Sequence, residues 1–194
     1  MRAITLLWSI GLTAAALSAQ AGIPPEWETR KLLDSLVSNA NKLAPLVEEI
    51  NPASWKEKGA PDAYQPQWQR VRTAIKGLRA SSTQLANEPT RISFALDTLF
   101  RLDGLNVLLG SLASGVRRYQ NPALADLMLA VGDENATNRE ALKQYALDLA
   151  STKEGELKVM ETEAQRCLSI IVNQPPPAKL RTPAVPKTGP KDPK

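Results

Sequence analysis

The side chains that most often carry catalysis or hold metals are sparse in this chain, and one type is missing: there is no histidine. Histidine-ligated haem, the Glu-x-x-His di-iron pattern, His-rich zinc sites and Ser-His-Asp or Cys-His catalysis are therefore excluded. A glycine-rich phosphate loop is also lacking; Gly104, Gly110 and Gly115 are dispersed along one apolar stretch and suit close helix contact or a bend. Carboxylates remain as the available chemistry. Glu154, Glu156, Glu161 and Glu163 crowd one segment, but helical spacing does not gather them on a single face, and Lys153, Lys158 and Arg166 are interleaved with them. They read as a solvated face in preference to an acid–base pair. Asp97 and Asp103, beside an apolar stripe, suit buried ion pairs with Arg101 or with an arginine on another helix. Asn106, near the same stripe, is a candidate for setting helix register. No catalytic residue, cofactor site or metal ligand is assigned.

Residues suited to binding concentrate in two places. Trp55, Tyr64 and Trp68 lie in or beside a long joint, residues 51–66. Their rings offer flat apolar faces with polar edges, fit for a sugar ring or a partner's apolar side chain. Folded inward, the same rings would plug the end of a helical bundle, and that reading is preferred. Cys167 is the single cysteine, so an intramolecular disulfide is impossible. Between Ala164, Leu168 and Ile171 it reads as a packed thiol, with an intermolecular disulfide as the alternative.

Proline and asparagine divide the body into four stretches with apolar residues at helical spacing. From about Pro25 to Ile50, Leu33, Leu36, Ala40, Leu43, Val47 and Ile50 recur at spacings of three and four. Pro25, Glu26 and Glu28 suit its first turn, and Pro45 should bend it. The second, Gln67 to Asn87, aligns Trp68, Val71, Ile75, Leu78 and Leu85, with Ser82 interrupting. The third, Pro89 to Tyr119, carries a broad stripe that includes Ile92, Leu96, Leu99, Leu102, Leu109, Leu112 and Val116. Such breadth implies contact with more than one neighbour. The fourth begins at Pro122, capped by Asn121, and reaches Asn173. One apolar patch, Leu124, Leu127, Met128 and Val131, precedes Gly132; another runs from Leu142 through Tyr145, Leu149, Leu157 and Met160 to Ile171. Continuity is narrowly preferred, against a break near Gly132 and a restart at the capping pattern Thr137-x-x-Glu140. Period-two runs are absent, so the fold expected is all-α: an up-and-down antiparallel bundle of about four long helices over residues 22–173.

The ends of the sequence set the compartment. Arg2, the apolar run Ala3 to Leu17 and the small-x-small triplet Ala19-Gln20-Ala21 read as a signal peptide, residues 1–21. The run is too short for a membrane span, which needs about 20 residues, so no transmembrane segment is expected in the mature chain. Residues 174–194 contain seven prolines and five Lys or Arg against Asp192, and read as a disordered basic tail. The body is nearly neutral, with 18 Lys and Arg against 19 Asp and Glu over residues 22–173. Basicity confined to a tail, together with export, argues against a nucleic-acid partner.

These features point to an exported, periplasmic or secreted bacterial protein, non-enzymatic, with an interaction or scaffold role toward a protein or envelope component. A bundle holding a small apolar or envelope-derived ligand is the alternative, and a carboxylate-based enzyme a more distant one. Cleavage before Gly22 is the first testable consequence. Intact-mass measurement of the exported protein should show loss of the first 21 residues; an uncut cytoplasmic chain starting at Met1 would contradict it.

Overall fold

The computed structural model describes residues 23–173; the signal-peptide and basic-tail expectations lie outside the described residues. Within them the chain is helical, with no strand. The elements are α1 Glu26–Glu48, a 3-10 helix Pro52–Lys58, α2 Tyr64–Asn87, α3 Ile92–Tyr119, α4 Pro122–Asp133 and α5 Asn135–Val172. Packing divides the chain into two units, the first ending at Glu154 and the second beginning at Gly155.

In the first unit α2 lies against α1 and α3, while α4 lies against α3 and α1. Helix α1 follows extended Pro25 and carries Glu26 and Glu28 where the helix dipole favours negative charge. It continues through the exposed Pro45 and buries Leu33, Leu36, Ala40, Leu43 and Val47, the stripe expected from the sequence. Helix α2 starts at Tyr64, three residues before the expected Gln67, because a turn at Pro61 to Ala63 leads directly into it. Its Ser81 and Ser82 are both buried, and Ser81 Oγ donates to the Leu78 carbonyl at 3.1 Å.

Helix α3 corrects the sequence reading in its first turns. The buried positions are Ala95, Thr98, Leu102, Leu105, Leu109, Leu112, Ala113, Gly115 and Val116, while Leu96 and Phe100 are exposed and Leu99 is only partly covered. With apolar residues on every side there, hydrophobicity alone does not choose a face. Thr98 enters the core because its hydroxyl donates to the Phe94 carbonyl at 2.8 Å, which removes the penalty of burying it.

Helix α4 opens on Pro122 and is capped by Asn121, whose side chain accepts from the Ala123 amide at 2.9 Å. Its apolar patch needs correction at Leu127, which faces solvent while Ala125 takes a buried place. The preferred continuity of the last helix is also corrected: the helix breaks at one residue, Glu134, and α5 starts at Asn135 instead of at Thr137. Glu134 keeps right-handed torsions, and its amide donates to the Ala130 carbonyl at 3.2 Å. Just before the break, a Cβ built on Gly132 would lie 2.8 Å from Leu109 Cδ2, so a larger residue there would have to displace the Leu109 side chain. Just after it, the buried Asn135 accepts at Oδ1 from the buried Asn39 Nδ2 of α1 at 3.1 Å.

The second unit is helical from Gly155 to Val172. Among the described residues this unit contains no second element, and Leu157, Met160, Leu168 and Ile171 are exposed. Cys167 is exposed as well, which overturns the packed-thiol expectation.

The division between core and surface can be measured. Leu102 is completely buried, so Leu102→Ala should cost about 2–5 kcal/mol. Leu168→Ala should change stability by less than about 0.5 kcal/mol. Urea unfolding of both variants checks this, and equal midpoints would remove Leu102 from the core.

Candidate functional site

Three places carry the residues with binding potential. The first is the joint between α1 and α2. Here the 3-10 helix, ended by Gly59 at φ +79°, turns Trp55 inward until none of it is exposed. Its indole stacks on Tyr119 with ring centroids 6.0 Å apart, and Tyr64 meets both rings edge-on, at 5.4 Å from Trp55 and 5.8 Å from Tyr119. A Cβ on Gly115 would stand 2.5 Å from Tyr64 Cε1, so α3 admits the cluster only because that side chain is missing.

Gln120, between α3 and α4, serves the polar groups of this cluster. Its Oε1 accepts from Trp55 Nε1 and from the Asn51 amide, both at 3.1 Å, and its Nε2 donates to the Glu49 carbonyl at 2.9 Å. Trp68 makes a separate contact: its Nε1 donates to the Val47 carbonyl at 2.7 Å, and the Arg72 guanidinium lies 4.6 Å from its ring. The structure therefore brings Trp55 and Tyr64 together, adds Tyr119 and Gln120, and leaves Trp68 on the α1–α2 seam. The face of Trp55 is wholly taken up by this packing, whereas Tyr64 and Trp68 stay partly open. Tyr119 and Gln120 are missed from sequence because they sit far along the chain; their position at the end of α3, opposite the aromatic joint in a hairpin, was the available signal.

The second place is a cleft of about 380 Å³ between the start of α1 and the start of α5. Leu32, Ala141 and Tyr145 give it an apolar floor, and Glu28, Lys31, Ser35 and Asn138 supply polar groups. The Tyr145 hydroxyl donates to the Pro89 carbonyl. Burial pushes its pKa up, the neighbouring Thr29 hydroxyl opposes the shift, and the Glu26 charge adds to it. Thr29, buried at 3% exposure, also lines the cleft, with its hydroxyl beside that of Tyr145.

Several carboxylates of the first unit are engaged in ion pairs. Asp97 pairs with Arg101 at 2.7 Å along α3, and Asp103 pairs with Arg139 of α5. That hydrogen bond and the Asp103 charge raise the Arg139 pKa. Both pairs are partly solvated, so they link helix surfaces and are not the buried contacts the stripe suggested. Asn106 is half-buried, and the buried amide pair instead joins Asn39 to Asn135. Among the described residues no group of three or more Cys, Asp or Glu side chains converges as a metal site.

The third place is the helix of the second unit. Leu157, Met160, Ala164, Cys167 and Ile171 follow one another at spacings of three and four on one side of it. Off that seam, Val159, Ile170 and Val172 are exposed too, at 64%, 61% and 79%. The glutamates stay near the surface, with Glu163 bound to Arg166 at 2.7 Å.

The aromatic joint makes a stability prediction. Gln120→Ala removes the acceptor of the Trp55 indole and should cost about 1–2 kcal/mol, read by thermal or urea unfolding. An unchanged midpoint would show that water replaces the amide without loss. With this geometry in hand, no family model matches the chain, no curated protein matches it, and no solved structure does.

Proposed function

We propose that this is an exported, non-enzymatic interaction protein of the bacterial envelope, in which a helical bundle presents a docking helix. In that bundle α1, α2 and α3 are three antiparallel members, and α4 with the first turns of α5 acts as the fourth. The short connections at Glu88–Arg91 and Gln120–Asn121, and the packing of α4 on both α3 and α1, support this arrangement. The leader-like residues 1–21 support export.

The observation that carries the interaction reading is the exposed apolar surface of the 155–172 helix. Leu157, Met160, Leu168, Ile170, Ile171 and Val172 are each at least 60% exposed. Isolated exposed leucines are ordinary, but a continuous apolar set on one helix marks a surface used for attachment. A photoreactive crosslinker placed on Cys167 of the exported protein tests it in whole bacterial envelopes. Burying one such side chain is worth about 1.5–3 kcal/mol. Leu157→Glu with Met160→Glu should therefore cut adduct yield at least about tenfold while leaving the melting temperature unchanged. Adducts that are absent, or indifferent to the substitutions, would refute a docking role.

The cleft between α1 and α5 favours a second reading, a bundle that holds a small apolar or envelope-derived ligand. The apolar floor of Leu32, Ala141 and Tyr145, with the buried Thr29 and the polar Ser35 and Asn138 beside it, supports it. A ligand retained in native mass spectrometry while the Cys167 adducts are missing would favour this reading over the first.

A further inference from the structure

Arg72, Lys76 and Arg79 follow one another on α2 at spacings of four and three, so they share one side of the helix. Across a recess of about 140 Å³ that side meets the carboxyl-terminal part of α1, and all three cations line the recess together with Glu48. Its floor is apolar, because Val47 of α1 and Ile75 of α2 are both buried. Charges held over such a floor act on one another more strongly than in open water.

The three cations are unequally engaged. Arg72 Nε donates to Glu48 Oε1 at 2.7 Å, and its guanidinium lies 4.6 Å from the Trp68 ring, so it is held from two sides. Arg79 Nη2 donates to the Ala40 carbonyl of α1 at 3.3 Å, a long bond to a neutral acceptor, while its Nε is buried with no hydrogen-bond partner. Lys76 is exposed, and among the described residues neither Lys76 nor Arg79 is paired with a carboxylate. One carboxylate against three cations leaves two positive charges on the recess. A guanidinium N–H withdrawn from water without an acceptor is costly, and like charges on one helix face repel. An anion seated among them relieves both.

We propose that this recess binds a phosphate dianion, either free or as the end group of a phosphomonoester. Two positive charges match its charge of about −1.5 to −2 at neutral pH, whereas a carboxylate or a phosphodiester would neutralise only one. The volume agrees, since about 140 Å³ falls below the roughly 300–1,000 Å³ of sites that enclose a drug-sized ligand. The recess takes a headgroup, and the rest of an ester stays outside. Guanidinium N–H groups match phosphate oxygens in direction, and a lysine adds a point charge. Arg79 supplies the unpartnered Nε–H, Lys76 the charge at the rim, and Arg72 the cation fixed by Glu48 and Trp68. The site shares no residue with the 155–172 helix or with the α1–α5 cleft, so its failure would leave both earlier readings untouched.

Isothermal titration of the full chain with inorganic phosphate at constant ionic strength tests the proposal. One phosphate should bind per chain with a dissociation constant of about 1 mM or tighter, and acetate should bind at least about tenfold more weakly. Arg79→Gln should weaken phosphate binding at least about tenfold. Lys76→Gln, at an exposed position with no place in the core, should weaken it at least about threefold, which keeps the test decisive if Arg79→Gln does not fold. Arg70→Gln removes the same charge from an exposed position of α2 outside the recess, and should change binding less than about twofold. Equal melting temperatures without phosphate verify the folding of the Lys76 and Arg70 variants. Absence of saturable binding would overturn the proposal, as would equal losses in Lys76→Gln and Arg70→Gln, because attraction to α2 as a whole would then explain the data. Vesicles of phosphatidylcholine with phosphatidic acid, and glycerol phosphate in solution, separate the sources. Vesicle capture that free phosphate displaces and Lys76→Gln weakens assigns the group to a lipid headgroup. Glycerol phosphate bound as tightly as inorganic phosphate, with vesicles left uncaptured, assigns it to a soluble ester.

Discussion

The first unit depends on one constraint: α3 must satisfy two neighbours at once. With α2 on one side and α4 on the other, its buried residues have to alternate spacings of three and four for the full length of the helix. Ala95, Thr98, Leu102, Leu105, Leu109, Leu112 and Val116 do so. Small residues mark the tightest contacts. Gly115 makes room for the Tyr64 ring, and Gly132 lets α4 approach Leu109. Close-packed interiors respond to a change of one methylene, so a side chain at Gly115 would push against the Tyr64 and Trp55 rings, while one at Gly132 would have to move Leu109.

The ends of the helices pose a different problem, because a helix end exposes both core side chains and unpaired backbone groups. The aromatic joint answers both. Trp55, Tyr64 and Tyr119 cover the core, and Gln120 takes up the Asn51 amide, the Glu49 carbonyl and the indole N–H. A side chain that both donates and accepts is needed there. Leucine would fill the space but leave three polar groups to find water. At the break in the fourth member, Asn39 and Asn135 form a buried amide pair whose geometry fixes α1 against the start of α5.

Much of this was legible in the residues. The stripe of α1 is clean because polar residues separate its apolar ones, and the inward-folded aromatics follow from the need to close a bundle end. Three features were not legible, for three physical reasons. The face of α3 near Phe94, Leu96 and Phe100 could not be chosen, since hydrophobicity surrounds the helix there. The break at Glu134 left little trace, because its torsions stay right-handed and neighbouring helix formers tolerate it. The exposure of Cys167 was hidden because periodicity shows which residues share a face and never whether anything lies against it. Among the binding candidates, Tyr64 and Trp55 were found together, while Gln120, on which they depend, needed the tertiary placement to be seen.

The break at Glu134 has a counterpart in the helix beyond Gly155. An isolated helix in water is unfavourable to start and only mildly favourable to extend. Here α5 is already wound through Leu142, Tyr145 and Leu149, whose burial secures it. The residues that follow need only elongation, yet they gain little from tertiary burial to hold them wound. They should exchange their amide hydrogens with solvent progressively from the carboxyl end inward, on a timescale set by fraying and decoupled from global unfolding. Attachment would then begin on a segment whose own order is nearly free-energy neutral, so part of the contact energy goes into winding the final turns. On the docking reading proposed above, such an attachment would form and release readily, graded by helix length instead of switched all at once.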